Sequence, residues 1–173
     1  MIKTAVLLVG GKAMRLRPIT EDIPKCMVDI EGKPLIEWIF DWLKENGIEK
    51  VVLGVAYKKE VIMDHVGEGS KFGLKVFYND HSQAQDTGDA FRLAIENCNV
   101  DDENFLAMNG DELTDVSIKN LYRFHVEHNP LATIVTAPLR SPFGVVEIDE
   151  NHTITSFKEK PVLSDRFVNA GIY

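Results

Sequence analysis

Residues 4–25 read TAVLLVGGKAMRLRPITEDIPK. The apolar run Ala5–Val9 stops at Gly10-Gly11, and four to eight apolar residues cut off by glycines predict a strand buried on both faces of a parallel sheet. The second half of the stretch carries Lys12, Arg15, Arg17 and Lys25 against only two acids, Glu21 and Asp22. Glycines let the backbone come close to an anion and turn several N–H groups toward it. Arginine and lysine then neutralise phosphate oxygens. A buried strand handing over to such a loop is built like a triphosphate cradle, although an ordinary strand and loop with solvated basic residues has the same composition.

Working outward, strand-like and helix-like segments alternate, the signature of a layered α/β domain. Pro34 starts a helix on which Leu35, Ile36, Ile39, Phe40 and Leu43 recur at helical spacing, and Gly47 suits its stop. Val51–Val55 is a second buried strand, Glu60–Val66 a short helix and Leu74–Tyr78 a third strand. Thr87 is expected to cap a helix carrying Ala90, Phe91, Ala94 and Ile95. Asn104–Met108 is a fourth strand, and Asp115 or Ser117 caps a helix with Ile118, Leu121 and Phe124 on one face. Ala132–Ala137 is a fifth strand. Beyond Pro138 the texture changes to short β segments at Gly144–Ile148, Thr153–Lys158 and Phe167–Tyr173. The last reads as a strand entering a sheet, so either it closes the sheet or the sequence is a fragment of a longer chain. The expected fold is a three-layer α/β/α, Rossmann-like domain with a mostly parallel, mixed sheet, spanning residues 1–173 as one domain.

Composition bounds the function. With 19 basic and 27 acidic residues the net charge is −8, which argues against a nucleic-acid binder but leaves room for a nucleotide pocket with a few local cations. Cys26 and Cys98 are too few for a disulfide scaffold and fit a reducing compartment, so the expected location is the cytoplasm. The N-terminal apolar run is too short for a membrane span. His65, His81, His125, His128 and His152 are scattered and mostly expected at the surface. His81 stands apart because it lies just before a loop between a strand and a helix.

Three groups carry chemistry. Strand ends of an open parallel sheet converge on one crevice, which gathers the Gly10–Arg17 loop and Lys25. Asp111 follows the fourth strand directly and can hold Mg²⁺ there, although Asn109-Gly110-Asp111 is also a good turn sequence. Lys158-Glu159-Lys160-Pro161 is a third charged group, which a solvated turn would equally explain.

These motifs resemble the sugar 1-phosphate nucleotidyltransferases. The resemblance is carried by Gly10-Gly11 with Arg15-Leu16-Arg17-Pro18-Ile19-Thr20, Pro24-Lys25, Gly32-Lys33-Pro34-Leu35-Ile36 and Asn109-Gly110-Asp111. Phe143-Gly144-Val145-Val146, Glu159-Lys160-Pro161 and Asn169-Ala170-Gly171-Ile172-Tyr173 follow in the family's order. It implies Mg²⁺-dependent transfer of a nucleotidyl group from a nucleoside triphosphate to a sugar 1-phosphate. Arg15, Lys25 and Asp111 would be catalytic, and Asp111 the metal ligand. Val9, Gly10, Gly11, Arg15, Lys25, His81, Gln83, Thr87 and Gly88 would bind the nucleotide. Asp111, Gly144, Glu159, Lys160 and Asn169 would bind the sugar phosphate. Spacing resembles the mannose- and heptose-phosphate guanylyltransferase branch slightly more than the thymidylyl or uridylyl branches. No nucleic acid or membrane is implied as a partner, and a homo-oligomer is left open.

The chain departs from the family pattern in three places. Ala13-Met14 replaces Gly-Thr before the arginine, and an alanine forced to positive φ costs on the order of 1 kcal/mol. Asp86 replaces a glycine and Asp89 a small residue, which adds negative charge near the expected triphosphate. The family's second metal-binding aspartate lies beyond the Asn-Ala-Gly motif and outside these 173 residues. These departures motivate an alternative, a non-catalytic regulatory domain that binds nucleotide sugars.

Overall fold

The structure is a computed structural model describing residues 1–173. Along the chain run β1 (Thr4–Leu8), a small hairpin of β2 (Asp29–Ile30) and β3 (Lys33–Pro34), α1 (Leu35–Glu45), β4 (Lys50–Val55), α2 (Lys59–Val66), β5 (Lys75–Asp80), α3 (Thr87–Asn97), β6 (Leu106–Asn109) and α4 (Ile118–His128). Four further strands follow: β7 (Thr136–Arg140), β8 (Val145–Ile148), β9 (Ile154–Lys158) and β10 (Val162–Asn169). The chain divides into two compact units, Met1–Thr133 with Ile172–Tyr173, and Ile134–Gly171.

The first unit is built on a parallel sheet in the order β5-β4-β1-β6. Ala5, Val6, Leu7, Val51, Val52 and Leu53 are fully buried, as expected of central strands covered on both faces. Successive side chains point to opposite faces. Val6 and Val52 form one cluster with Ala94 of α3, ringed by Phe91, Ile95 and Phe105. The chain moves outward from β1 to β4 to β5 and then jumps back to β6 on the other side of β1. Right-handed crossovers therefore put α1 and α2 on one face and α3 on the other. α1 buries Leu35, Ile36, Ile39, Phe40 and Leu43 along one side. At about 1.5–3 kcal/mol each, that stripe is worth on the order of 10 kcal/mol before conformational entropy is subtracted. Ile172 joins Met108 in an antiparallel bridge, and the backbones of Ala107 and Tyr173 exchange hydrogen bonds of 2.9 and 2.8 Å. This contact makes the otherwise parallel sheet mixed. No helix is long and apolar enough to cross a membrane.

The second unit holds two antiparallel ribbons, β7 with β10 and β8 with β9.

Several expectations need correction. The segment Ala132–Ala137 is not a fifth strand of the main sheet. The strand there is Thr136–Arg140, and it pairs with β10. Local pattern cannot name a pairing partner tens of residues away. Phe167–Tyr173 is not one strand: β10 ends at Asn169 and only Ile172 bridges to the main sheet. Pro34 occupies the position before α1 rather than its first turn, with an extended backbone. Asp86, not Thr87, caps α3, because its carboxylate accepts from the Asp89 backbone N–H at 2.8 Å. Of the two candidate caps for α4, Ser117 serves.

Candidate active site

β1 and β6 are neighbours, and their order reverses at that point. The carboxyl ends of two such strands diverge and leave a crevice. Here the crevice encloses about 760 Å³ and is lined by the β1–loop junction, the loop after β6 and the approach to α3. Val9, Gly10, Gly11, Arg15, Lys25, His81, Thr87 and Asp111 all line it. Gln83 and Gly88 are exposed and lie outside the lining residues. Gly144, Glu159, Lys160 and Asn169 belong to the second unit.

Adjacent glycines have different jobs. A methyl on Gly10 would sit 2.5 Å from His81 Nε2, 2.7 Å from the Ala56 backbone nitrogen and 2.9 Å from Ala56 Cβ. Gly10 is thus required by packing of the strand ends. A methyl on Gly11 would meet nothing within 4 Å, so its backbone is open to the crevice. Gly110 is also a packing glycine, since its methyl would strike Val9 Cγ1 at 2.2 Å. Its N–H donates to the Leu8 carbonyl at 2.8 Å, which ties the loop after β6 to the end of β1.

Beyond Gly11 the chain turns at Ala13, whose φ and ψ of 44° and 48° are left-handed. That is the conformation a glycine would adopt freely, so the Ala13 substitution carries the strain its position implied. The Ala13 carbonyl accepts from Thr20 Oγ1 at 3.0 Å and from the Leu16 N–H at 2.9 Å, and these bonds hold the turn. Thr20 is fully buried, and its carbonyl accepts from the Tyr57 hydroxyl at 3.1 Å. Arg15 is exposed and lines the crevice. Lys25 begins a short 3-10 turn, Lys25–Met27, anchored by Cys26. Cys26 is buried, and desolvation pushes its thiol up to about 12, so it is inert packing rather than a nucleophile.

The central polar contact joins Lys25 and Asp111. Lys25 Nζ donates to Asp111 Oδ2 at 2.5 Å, with both side chains a little over one-third exposed. The approach to α3 carries the two acids, Asp86 and Asp89, that depart from the family pattern. Asp86 lines the crevice while its Oδ1 caps α3. Asp89 Oδ2 accepts from the Gln85 N–H at 3.1 Å, and Arg92 pairs with Asp89 at 2.7 Å. Arg92 first, then the Gln85 N–H, hold the Asp89 carboxyl below its ordinary range. This is an N-terminal capping arrangement. The spacing Asp86-x-x-Asp89 carried that signal in the sequence.

His81 is partly buried beside Gly10 and Gly54, and its Nδ1 has no hydrogen-bond partner. Desolvation lowers its pKa, partly countered by Asp80, so the neutral ring is favoured. Of the other histidines, His65 and His125 are half-buried rather than on the surface: His65 meets Glu37 at 2.8 Å and His125 meets Thr133 Oγ1 at 2.9 Å. In the second unit Gly144 packs under Phe157, and a methyl there would also meet Glu159 Oε2 at 3.1 Å. Asn169 Oδ1 accepts from the Gly171 N–H at 2.8 Å.

A crevice at the switch point of a parallel sheet, entered by a glycine loop, defines a Rossmann-like α/β domain whose cleft is lined by the cations Arg15 and Lys25 and the carboxylates Asp86 and Asp111. The chain belongs to the nucleotidyl transferase family, whose model matches residues 4–173. It is 31% identical to a D-glycero-alpha-D-manno-heptose 1-phosphate guanylyltransferase of Aneurinibacillus thermoaerophilus, covering 98% of this chain and 73% of that protein. It is 34% identical to the mannose-1-phosphate guanylyltransferase catalytic subunit beta of Drosophila melanogaster and 31% to a UTP–glucose-1-phosphate uridylyltransferase of Synechocystis, again over 98% of this chain. It spans about half the length of those two relatives, 47% and 48%. The crystal structure of HddC from Yersinia pseudotuberculosis superposes with a TM-score of 0.67 at 26% identity, covering 99% of this chain and 75% of that one.

Proposed function

We propose that this chain transfers a nucleotidyl group from a nucleoside triphosphate to a sugar 1-phosphate in the presence of Mg²⁺, releasing pyrophosphate. The supporting observation is one crevice that collects the open backbone of Gly11, the cations Arg15 and Lys25, and the carboxylate of Asp111.

The chemistry follows from charge. A phosphate oxygen of the sugar phosphate attacks the α-phosphorus. A new P–O bond forms, the bond to the bridging oxygen of the β-phosphate breaks, and the electron pair leaves with pyrophosphate. The attacking oxygen is already ionised, so no side-chain base is needed. Two like unit charges 4 Å apart repel by about 4 kcal/mol at an effective dielectric near 20, and several such pairs meet here. The residues must therefore neutralise and position rather than exchange protons. Arg15 and Lys25 draw the triphosphate oxygens, and the Gly10–Gly11 backbone lets them approach. Asp111 would hold Mg²⁺. No group of three or more metal-ligating side chains is present, and the partly exposed carboxylate of Asp111 fits an ion that keeps waters and takes substrate phosphates as ligands. When bound, Mg²⁺ supplies positive charge on the phosphate oxygens. By resemblance, Gly144, Glu159, Lys160 and Asn169 bind the sugar phosphate.

Guanosine triphosphate with a mannose- or heptose-type sugar 1-phosphate is the first pair to test, supported by the guanylyltransferase relatives. Uridine triphosphate with glucose 1-phosphate is the control. Two of the three departures that motivate a non-catalytic reading are accommodated locally: Ala13 takes the left-handed turn, and Asp86 is engaged by its own helix; the third, the family's second metal-binding aspartate, falls outside residues 1–173. Turnover therefore stands first. Pyrophosphate release across nucleotides and sugar phosphates tests it, and Asp111→Asn should cut the rate by about 100-fold or more without loss of fold. Full activity in that variant removes Asp111 from the reaction. Binding of nucleotide sugar with no pyrophosphate release supports the regulatory domain instead.

A further inference from the structure

In the proposed reaction Lys25 faces phosphate and Asp111 faces metal, yet the two side chains are paired with each other at 2.5 Å. Both are tied to the fold through neighbouring residues. Lys25 opens a turn anchored by buried Cys26, and Asp111 follows Gly110, which is hydrogen-bonded to Leu8. An ammonium in contact with Oδ2 occupies the place, and offsets the charge, that a divalent cation would use.

We propose that the Lys25–Asp111 pair is a latch that couples the two ligands. It keeps divalent metal off Asp111 until nucleotide phosphates draw Lys25 away. Metal and nucleotide then promote each other's binding by one common factor, as linkage requires. This inference rests on Asp111 as the metal holder and goes further, because it makes metal affinity depend on Lys25.

Mn²⁺ is the probe, with free ion counted by electron paramagnetic resonance on the full chain. Without nucleotide, Lys25→Met should bind Mn²⁺ roughly fivefold more tightly than wild type, the low end of usual coupling factors. Adding Asp111→Asn to Lys25→Met should abolish that gain. Arg15→Met removes the same charge from the same crevice, and Arg15 has no ion pair with Asp111. It should change Mn²⁺ affinity by less than about twofold. Thermal melting of each variant verifies folding. The latch is overturned when Lys25→Met binds Mn²⁺ no more tightly than wild type, or when Arg15→Met gains as much, which would mean a general field effect. A second arm measures the Mn²⁺ complex of a non-hydrolysable guanosine triphosphate analogue. Should Asp111→Asn bind that complex as wild type does, the metal assignment and the latch fall together. Should Asp111→Asn weaken it while Lys25→Met shows no gain without nucleotide, only the latch falls.

Discussion

Adjacent glycines at the end of β1 give a sharp test of how the crevice is built. Gly10→Ala places a methyl 2.5 Å from His81 Nε2 and 2.7 Å from the Ala56 backbone nitrogen. The second contact is the costly one, because backbone in the connection from β4 to α2 cannot swing aside as a side-chain end could. Relieving it means separating strand ends that are tied by the Val9 N–H to Gly54 carbonyl bond of 2.8 Å. Overpacking of this kind costs about 1–3 kcal/mol. For a chain of 173 residues, about 2 kcal/mol lowers the melting temperature by roughly 4–8 °C. Gly11→Ala meets nothing within 4 Å and should melt within about 1–2 °C of wild type. It should still weaken nucleoside triphosphate binding, because in the proposed site its methyl stands where phosphate would come close. Differential scanning fluorimetry with and without nucleotide reads both effects. Equal stability of Gly10→Ala and wild type, or an equal loss in Gly11→Ala, would refute the division of labour between them.

Three other outcomes follow. Ala13→Gly removes the left-handed strain at φ 44° and should raise stability by about 0.5–1 kcal/mol, allowing for glycine's greater unfolded-state entropy, as read from urea midpoints. Asp86→Ala removes the α3 cap and should cost about 1 kcal/mol, with helix loss visible by circular dichroism at lower temperature. An unchanged midpoint would mean the carboxylate serves the crevice alone. His81 has a folded pKa below its unfolded value of about 6.5. The unfolded state therefore binds more protons, and the contribution is fully present above about pH 6.5 and lost as pH falls through the folded value. Urea midpoints of wild type should drop between pH 7 and pH 5, and His81→Gln should show a smaller drop.

The sheet strands, helices and their order could be read along the chain because each is a local signal: an apolar run stopped by glycine, a stripe at helical spacing, a capping side chain. The first strand and its cationic loop were legible for that reason, as was Asp111 at the end of β6. Pairings were not. The sequence places a fifth strand at Ala132–Ala137, but the strand formed is Thr136–Arg140 and its partner lies near Phe167, and short apolar segments carry no mark of whom they pair with. The charges at Asp86 and Asp89 looked out of place beside a triphosphate until α3 placed them as its own cap.

By itself, the sequence determined the alternation of elements, the Gly10-Gly11 loop and the residue types that a phosphate crevice needs, because backbone propensity and hydrophobic period act over a few neighbouring residues. Only the tertiary structure decided that Gly10 packs while Gly11 stays open, and that Lys25 closes on Asp111 across 86 positions. Those facts depend on distances between strand ends and loops, which exist only once the sheet has brought remote parts of the chain together.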